Sequence, residues 1–428
     1  MSNRKLNGPT LIENARIFDG ASEHLIEGTS VFVEDNTISR IGSDIDSPDG
    51  TTILDADGQT LMPGLIDAHY HTMLASLPLS DLLSSWEGYI NLMAAKNAES
   101  LLLQGFTTVR DPGGNAFSLK RAIDNGHFAG PRIYPSGPII SQTSGHADFR
   151  PKTAVPVDPS QPLTYLERNA HAIVADGVPE VTKRVREVLR MGASQIKLAA
   201  GGGVASDYDP LDVSQYTLEE LEAAVDVAET WNTYVTVHAY TPDAIQTAIR
   251  AGVRCIEHGQ MMDEETAALL SEEDVWLSTQ PFLDDEDAIP FPEGSDSRQK
   301  QLRMVEGTEQ AYSYAREYDI KTAFGTDTLF SPELAQKTGK QLAKLEQWYT
   351  PFEVLKMATS DNAELLKMSG PRDPYDKGKI GVLAEDAYAD LLLVDGDPLE
   401  DVSVLANPDE NLTMVMKDGT IYKNVADE

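Results

Sequence analysis

The sequence predicts a (β/α)8 TIM barrel, an α/β fold, carrying a small β-sandwich domain built from both termini. Three observations predict it. Residues 1–62 and 371–428 are β-rich and look alike. Residues 63–370 alternate short apolar strands with amphipathic helical patterns. Polar residues of metal-binding type fall at the ends of several of those strands, where a barrel carries its chemistry. A doubly wound sheet is the alternative fold for the same alternation.

The N-terminal part reads as strands at 10–18, 29–34, 37–42 and 51–55, separated by Gly, Asp, Asn or Pro turn signals. The C-terminal part repeats that style at 389–395 and 412–422. Between them eight strands are expected, at 65–71, 107–111, 132–136, 195–199, 234–239, 254–258, 275–280 and 321–327. Helical patterns such as 217–230 separate most of them.

Bulk properties bound the function. The chain has 428 residues, 41% hydrophobic and 7% aromatic, enough for one large barrel and a smaller domain. Its one cysteine, Cys255, excludes an intrachain disulfide framework and suits a reducing compartment, the cytoplasm. The first residues lack the apolar core of a signal peptide, with a removed leader left open. No run of eighteen apolar residues is present, so no membrane partner is expected. A net charge of −35, from 34 Lys+Arg against 69 Asp+Glu, argues against nucleic acid and anionic lipid. Such acidity suits a salt-rich habitat, where ions screen self-repulsion, and that account predicts stability rising with salt. Drift toward acidity is the plainer account.

The most informative stretch is Leu61-Met-Pro-Gly-Leu-Ile-Asp67-Ala-His69-Tyr-His71. Residues i and i+2 of a strand share a face, so His69 and His71 stand side by side. Two imidazoles on one face of an apolar strand suit a metal ion. Later strands add Lys197, His238, His258 and Asp327 at or near their ends. A single strand-end histidine is more often structural, but six such residues in barrel order reinforce one another.

These residues resemble the pattern of the amidohydrolase superfamily: H-x-H, a strand-four Lys, two later His and a strand-eight Asp. Gly201-Gly-Gly203, His238-Ala-Tyr240, Ile256-Glu-His258-Gly and Gly325-Thr-Asp327 look like the branch of metal-dependent Xaa-Pro dipeptidases, carboxypeptidases and ochratoxin-hydrolysing amidases. One departure is Asp386, near which relatives carry Gly; only a local turn change is expected.

The resemblance implies two divalent metal ions, zinc by default. His69, His71 and Asp327 would hold one, and His238 and His258 the other. Lys197 would bridge them as an N-carboxylated lysine formed with CO2. An apolar strand pushes a lysine toward the neutral amine that adds CO2; a salt bridge to a carboxylate is the plainer role. Two cations sharing a water generate hydroxide and polarise a carbonyl. Asp327 would move the proton.

Substrate contacts are expected from loops. His146, beside Gly145, would donate to the scissile carbonyl oxygen or a substrate carboxylate. Tyr240, two residues beyond His238, would bind a carboxylate. Gly202, in a triplet that lacks the Lys-Ser/Thr of a P-loop, would leave room or offer an N–H. Arg150 is a further carboxylate clamp. His24, His127 and His171 are expected to be structural or exposed, His171 within a helical pattern. The acidic run 284–287 reads as a solvated loop that repels anionic substrates.

The expected activity is hydrolysis of an amide next to a free carboxylate, in a dipeptide, an N-acyl amino acid or an ochratoxin-like aroyl-phenylalanine. A homo-oligomer is the expected assembly. Two other readings share the scaffold: a cyclic amide or imine hydrolase of the imidazolonepropionase type, which Lys197 disfavours, and a non-enzymatic assembly scaffold, which the intact set of six disfavours.

Overall fold

A parallel sheet dominates the computed structural model, which describes residues 8–156 and 162–425 and shows an α/β fold. Strands Leu65–Asp67, Phe106–Asp111 and Arg132–Pro135 pair in parallel. Ile196–Ala199, Val235–Ala239, Cys255–His258, Trp276–Thr279 and Thr322–Phe324 continue in the same sense. Backbone bonds join the two sets at both seams. Ser194 N donates to Pro135 O at 2.8 Å, and Ala68 N donates to Phe324 O at 2.9 Å.

All eight expected strands are present; seven are trimmed at one or both ends, and the second starts one residue early, at Phe106. The first stops at Asp67 because its carboxylate accepts from His69 N at 2.9 Å and from Thr326 Oγ1 at 2.7 Å. That turn lifts His69 and His71 out of regular strand geometry, so strand periodicity alone does not set their relation. Two short strands beyond the expected eight lie between the third and fourth. Ile139–Ser141 pairs with both Ala172–Val174 and the fourth main strand.

Helices cover the sheet by burying one stripe. Gly177–Met191 buries Val181, Val185, Val188 and Leu189, a spacing that keeps one face inward. Each such side chain contributes about 1.5–3 kcal/mol by burial. Helix Leu218–Thr230 begins one residue after its expected start because Thr217 is the cap: its hydroxyl accepts from Glu220 N, and the Glu220 carboxylate returns the bond.

Both termini build the β layers. One sheet holds Thr10–Glu13, Ser30–Glu34, Thr37–Gly42 and Thr52–Asp55. The other joins Arg16–Ile17 and Thr60–Pro63 to Leu391–Val394, Leu412–Lys417 and Thr420–Asn424. Ile12, Val31 and Val33 from the first share a buried cluster with Leu391, Leu393 and Met414 from the second. Asp386 sits at φ 64°, left-handed backbone that a glycine adopts without strain, so the departure is confined to a turn. No helix among the described residues is long and apolar enough to cross a membrane.

Candidate metal centre

The C-terminal ends of the parallel strands bring the expected side chains into one cavity. His69, His71, Lys197, His238, His258 and Asp327 all line it. His69 and His71 have ring centroids 5.2 Å apart, His69 and His258 5.1 Å, and His238 and His258 4.4 Å. His69 Nε2 and His71 Nε2 stand 3.2 and 3.1 Å from Asp327 Oδ1. Ligand atoms of His69, His258 and Asp327 lie within 4.8 Å of one another.

Proton placement gives this geometry its meaning. His69 Nδ1 lies 2.7 Å from Glu257 Oε2, and His71 Nδ1 lies 2.9 Å from Gly113 O. His258 Nδ1 lies 2.6 Å from Gln280 Oε1, whose amide nitrogen donates to Ser278 O at 3.0 Å. His238 Nε2 lies 3.1 Å from Gly202 O. Every partner is an acceptor, so each neutral imidazole keeps its proton on that outer nitrogen and has a lone pair on the other. For His69 and His71 that lone pair faces a carboxylate oxygen. Three acceptors converging at this range repel unless a cation is shared among them, and the donor set fits a divalent metal.

Electrostatics agree at Lys197, His238 and His258, whereas at His71 burial is outweighed by Asp327 and Asp111, which raise the imidazole and mark the same spot as one that attracts a cation. Burial pushes the Lys197 ammonium down to about 8, against the pull of Glu257 and Asp327. Burial and neighbouring cations also hold His238 and His258 well below the ordinary imidazole value. Burial would raise the Asp327 carboxyl, but positive charge gathered on the facing histidines holds it well below its ordinary value, the part a shared cation plays when those imidazoles are neutral. Burial, Asp327 and Asp209 raise the Tyr240 phenol, which stays neutral and able to donate.

Local sequence builds the centre. Gly325 has no Cβ because one would stand 2.5 Å from His69 Cβ, so the eighth strand can cross close to the first. His258 and Asp327 adopt φ of 80° and 50°, left-handed backbone rare for such residues and typical of strained functional positions. Glu257, not singled out from sequence, is fully buried between His69 and Arg110, with Arg110 Nη2 2.6 Å from Oε1. Its signal was available: a carboxylate in an apolar strand needs a buried cation, and Arg110 lies in another such strand.

Among the loop residues, His146 and Tyr240 line the cavity. His146 stacks on His238 with centroids 4.0 Å apart. Its Nδ1 lies 2.7 Å from Ser206 Oγ, which itself donates to Asp209 Oδ2 at 2.9 Å, so Nδ1 carries the proton. Gly202 does not line the cavity: its N–H donates to Val213 O at 3.2 Å, and a Cβ would meet Pro210 O at 1.8 Å. Arg150 is spent on Asp148, with Nε and Nη2 each 2.6 Å from its carboxylate, and does not line the cavity.

One further expectation is corrected. His171 is neither helical nor exposed: it precedes Ala172–Val174, is buried, and lines the cavity. The acidic run is an exposed loop as expected, and three of its residues are also paired, with Asp284 2.8 Å from Arg298, Asp285 2.8 Å from Lys344 and Asp287 2.9 Å from Lys337. These bonds tie the insertion after the seventh strand, and its apolar wall of Phe282, Ile289 and Phe291, to its surroundings. His24 and His127 are exposed as expected.

A model of the amidohydrolase family matches residues 60–422. An ochratoxinase from Aspergillus niger is 31% identical over 426 residues, covering 97% of this chain and 86% of its own length. A prolidase structure complexed with N-methylphosphonate-L-proline is similar at a TM-score of 0.87 and 33% identity, covering 97% of this chain and 100% of that one. A Xaa-Pro dipeptidase structure with methionine bound in its active site gives a TM-score of 0.83 at 30% identity, again covering 97% and 100%.

Proposed function

We propose that this chain, which belongs to the amidohydrolase family of hydrolases acting on C–N bonds, cleaves an amide next to a free carboxylate in a metal-dependent reaction. The single observation that carries the reading is the set of four imidazoles that each hold one ring nitrogen against an acceptor oxygen, which leaves the other nitrogen to serve as a ligand. The ring of parallel strands is read as a (β/α)8 barrel over 63–370, with a β sandwich from 1–62 and 371–428.

His69, His71 and Asp327 would hold one divalent ion, and His238 and His258 a second, with zinc the default. Lys197, buried and pushed toward its neutral amine, would join them as the N-carboxylated form. When bound, the ions would supply an acidified water and polarise the scissile carbonyl. Asp327, an ionised carboxylate, takes a proton from the attacking water and returns it to the leaving nitrogen. His146 is aligned by Ser206 and Asp209 beside that carbonyl. Tyr240, a neutral phenol, donates to the substrate carboxylate. Phe282, Phe291 and Phe330 make the wall apolar and favour apolar side chains.

Ochratoxinase, prolidase and Xaa-Pro dipeptidase relatives support amides that carry a free carboxylate. A panel of dipeptides ending in Pro, Phe, Lys or Arg, plus ochratoxin, assayed with and without chelator, tests this. Chelator-sensitive cleavage with Pro or Phe preferred over Lys and Arg is expected. No chelator-sensitive cleavage of any member would overturn it.

A further inference from the structure

His171 carries a hydrogen-bonding atom that no described residue uses. It lies in the insertion after the third strand, with its side chain 4% exposed. Its Nε2 is 2.9 Å from Glu87 Oε2, and the other Glu87 oxygen takes the Asn91 amide at 2.9 Å. A carboxylate only accepts, so the proton of a neutral His171 sits on Nε2. Nδ1 is then a bare lone pair, buried and without a partner among the described residues. Buried acceptors of this kind are uncommon and call for an explanation.

The surroundings supply one. His171 lines the same cavity as the metal-centre candidates. Its backbone N–H donates to Leu166 O at 2.9 Å, and Glu87 opens the helix that follows Leu79–Ser84. Leu79, Leu82, Leu83 and Leu166 all face that cavity. Leucine walls cannot satisfy an imidazole lone pair, and the helices and the Glu87 bond fix the ring in place.

We infer that His171 is a substrate-recognition group, whose Nδ1 accepts a hydrogen bond from a donor on the acyl part of the substrate. The donor is an ammonium or a hydroxyl, and the Glu87 carboxylate behind the ring favours the ammonium. This rests on the proposed reading of the cavity as the substrate site.

Calorimetric binding of two matched acid pairs to the metal-loaded chain tests it. Leucine against 4-methylpentanoate isolates an ammonium; salicylate against benzoate isolates a hydroxyl. The donor-bearing member of at least one pair should bind about tenfold more tightly, the ratio one good hydrogen bond gives. That ratio should collapse toward one in His171→Phe and be partly kept in His171→Gln, which retains an acceptor. The pair that responds names the donor. Equal ratios in wild type and His171→Phe, or no discrimination or binding by either pair in wild type, overturn the inference. If His171→Phe does not fold, the ¹⁵N shift of wild-type His171 Nδ1 decides: movement on saturation with the tighter ligand supports it, and an unchanged shift overturns it. Absent or chelator-insensitive amide cleavage would break the proposed reaction but leave these ratios as a separate readout.

Discussion

Two buried arginines make the same kind of bond and serve different ends. Arg110, near the C-terminal end of the second main strand, meets Glu257 at 2.6 Å, and Glu257 passes on to His69 at 2.7 Å. Arg132 opens the third strand at its opposite end. It meets Asp390 at 2.9 Å, also pairs with Asp418, and lies 3.7 Å over the Tyr388 ring. The first chain of contacts ends on a candidate metal ligand. The second ends on the C-terminal strands and ties them to the parallel sheet. Position along a strand separates the two roles, as expected when strand C-termini carry chemistry and N-termini carry stability.

Substitutions can break this contrast, and the largest effect lies on the catalytic side. Asp327→Asn should lower kcat by roughly 10²–10⁴-fold, the range for a positioned acid–base group, while thermal unfolding moves little. Most activity surviving in that variant would contradict the proton role. Glu257→Gln should lower metal affinity or activity about 10–100-fold, the usual effect of releasing a histidine from its carboxylate partner. Metal titration checks this, and unchanged affinity would detach Glu257 from the centre.

Arg132→Met should do the reverse. It leaves Asp390, buried, without its partner, at a cost of about 3–5 kcal/mol in denaturant unfolding. Activity per folded molecule should hold, and a fall in kcat to match would erase the distinction between the two ends.

The smallest effect is pH dependence at the same seam. Burial would raise the Asp418 carboxyl, but Arg132 and Lys417 overcome it and hold it below its ordinary value. The folded chain therefore releases that proton more readily than the unfolded one. Its contribution is present above about pH 4 and is lost as pH falls through the lowered value. Asp418→Asn should flatten the acid limb of a stability–pH curve, and an unaltered limb would show that the carboxylate contributes nothing there.

What the sequence made legible follows the same geography. His69, His71, Lys197, His238, His258 and Asp327 stood out because each interrupts an apolar strand near its end, a local pattern. Glu257 and Arg110 did not, because their partnership spans 147 positions and exists only once the strands form a ring. His171 was misplaced for a local reason. The helical pattern before it yields only Tyr165–Arg168, and Ala170 at φ 58° turns the chain back toward the cavity. Gly202 was read as open space, whereas its missing side chain makes room for Pro210. Spacing reports strand faces; it does not report which loop atoms already have partners.

Elemental analysis of the purified chain, paired with amide hydrolysis before and after chelation, bears most directly on the central claim. The account predicts two divalent ions per chain, with activity lost on their removal and restored by adding zinc. Full hydrolysis by a chain that binds no stoichiometric metal would contradict it.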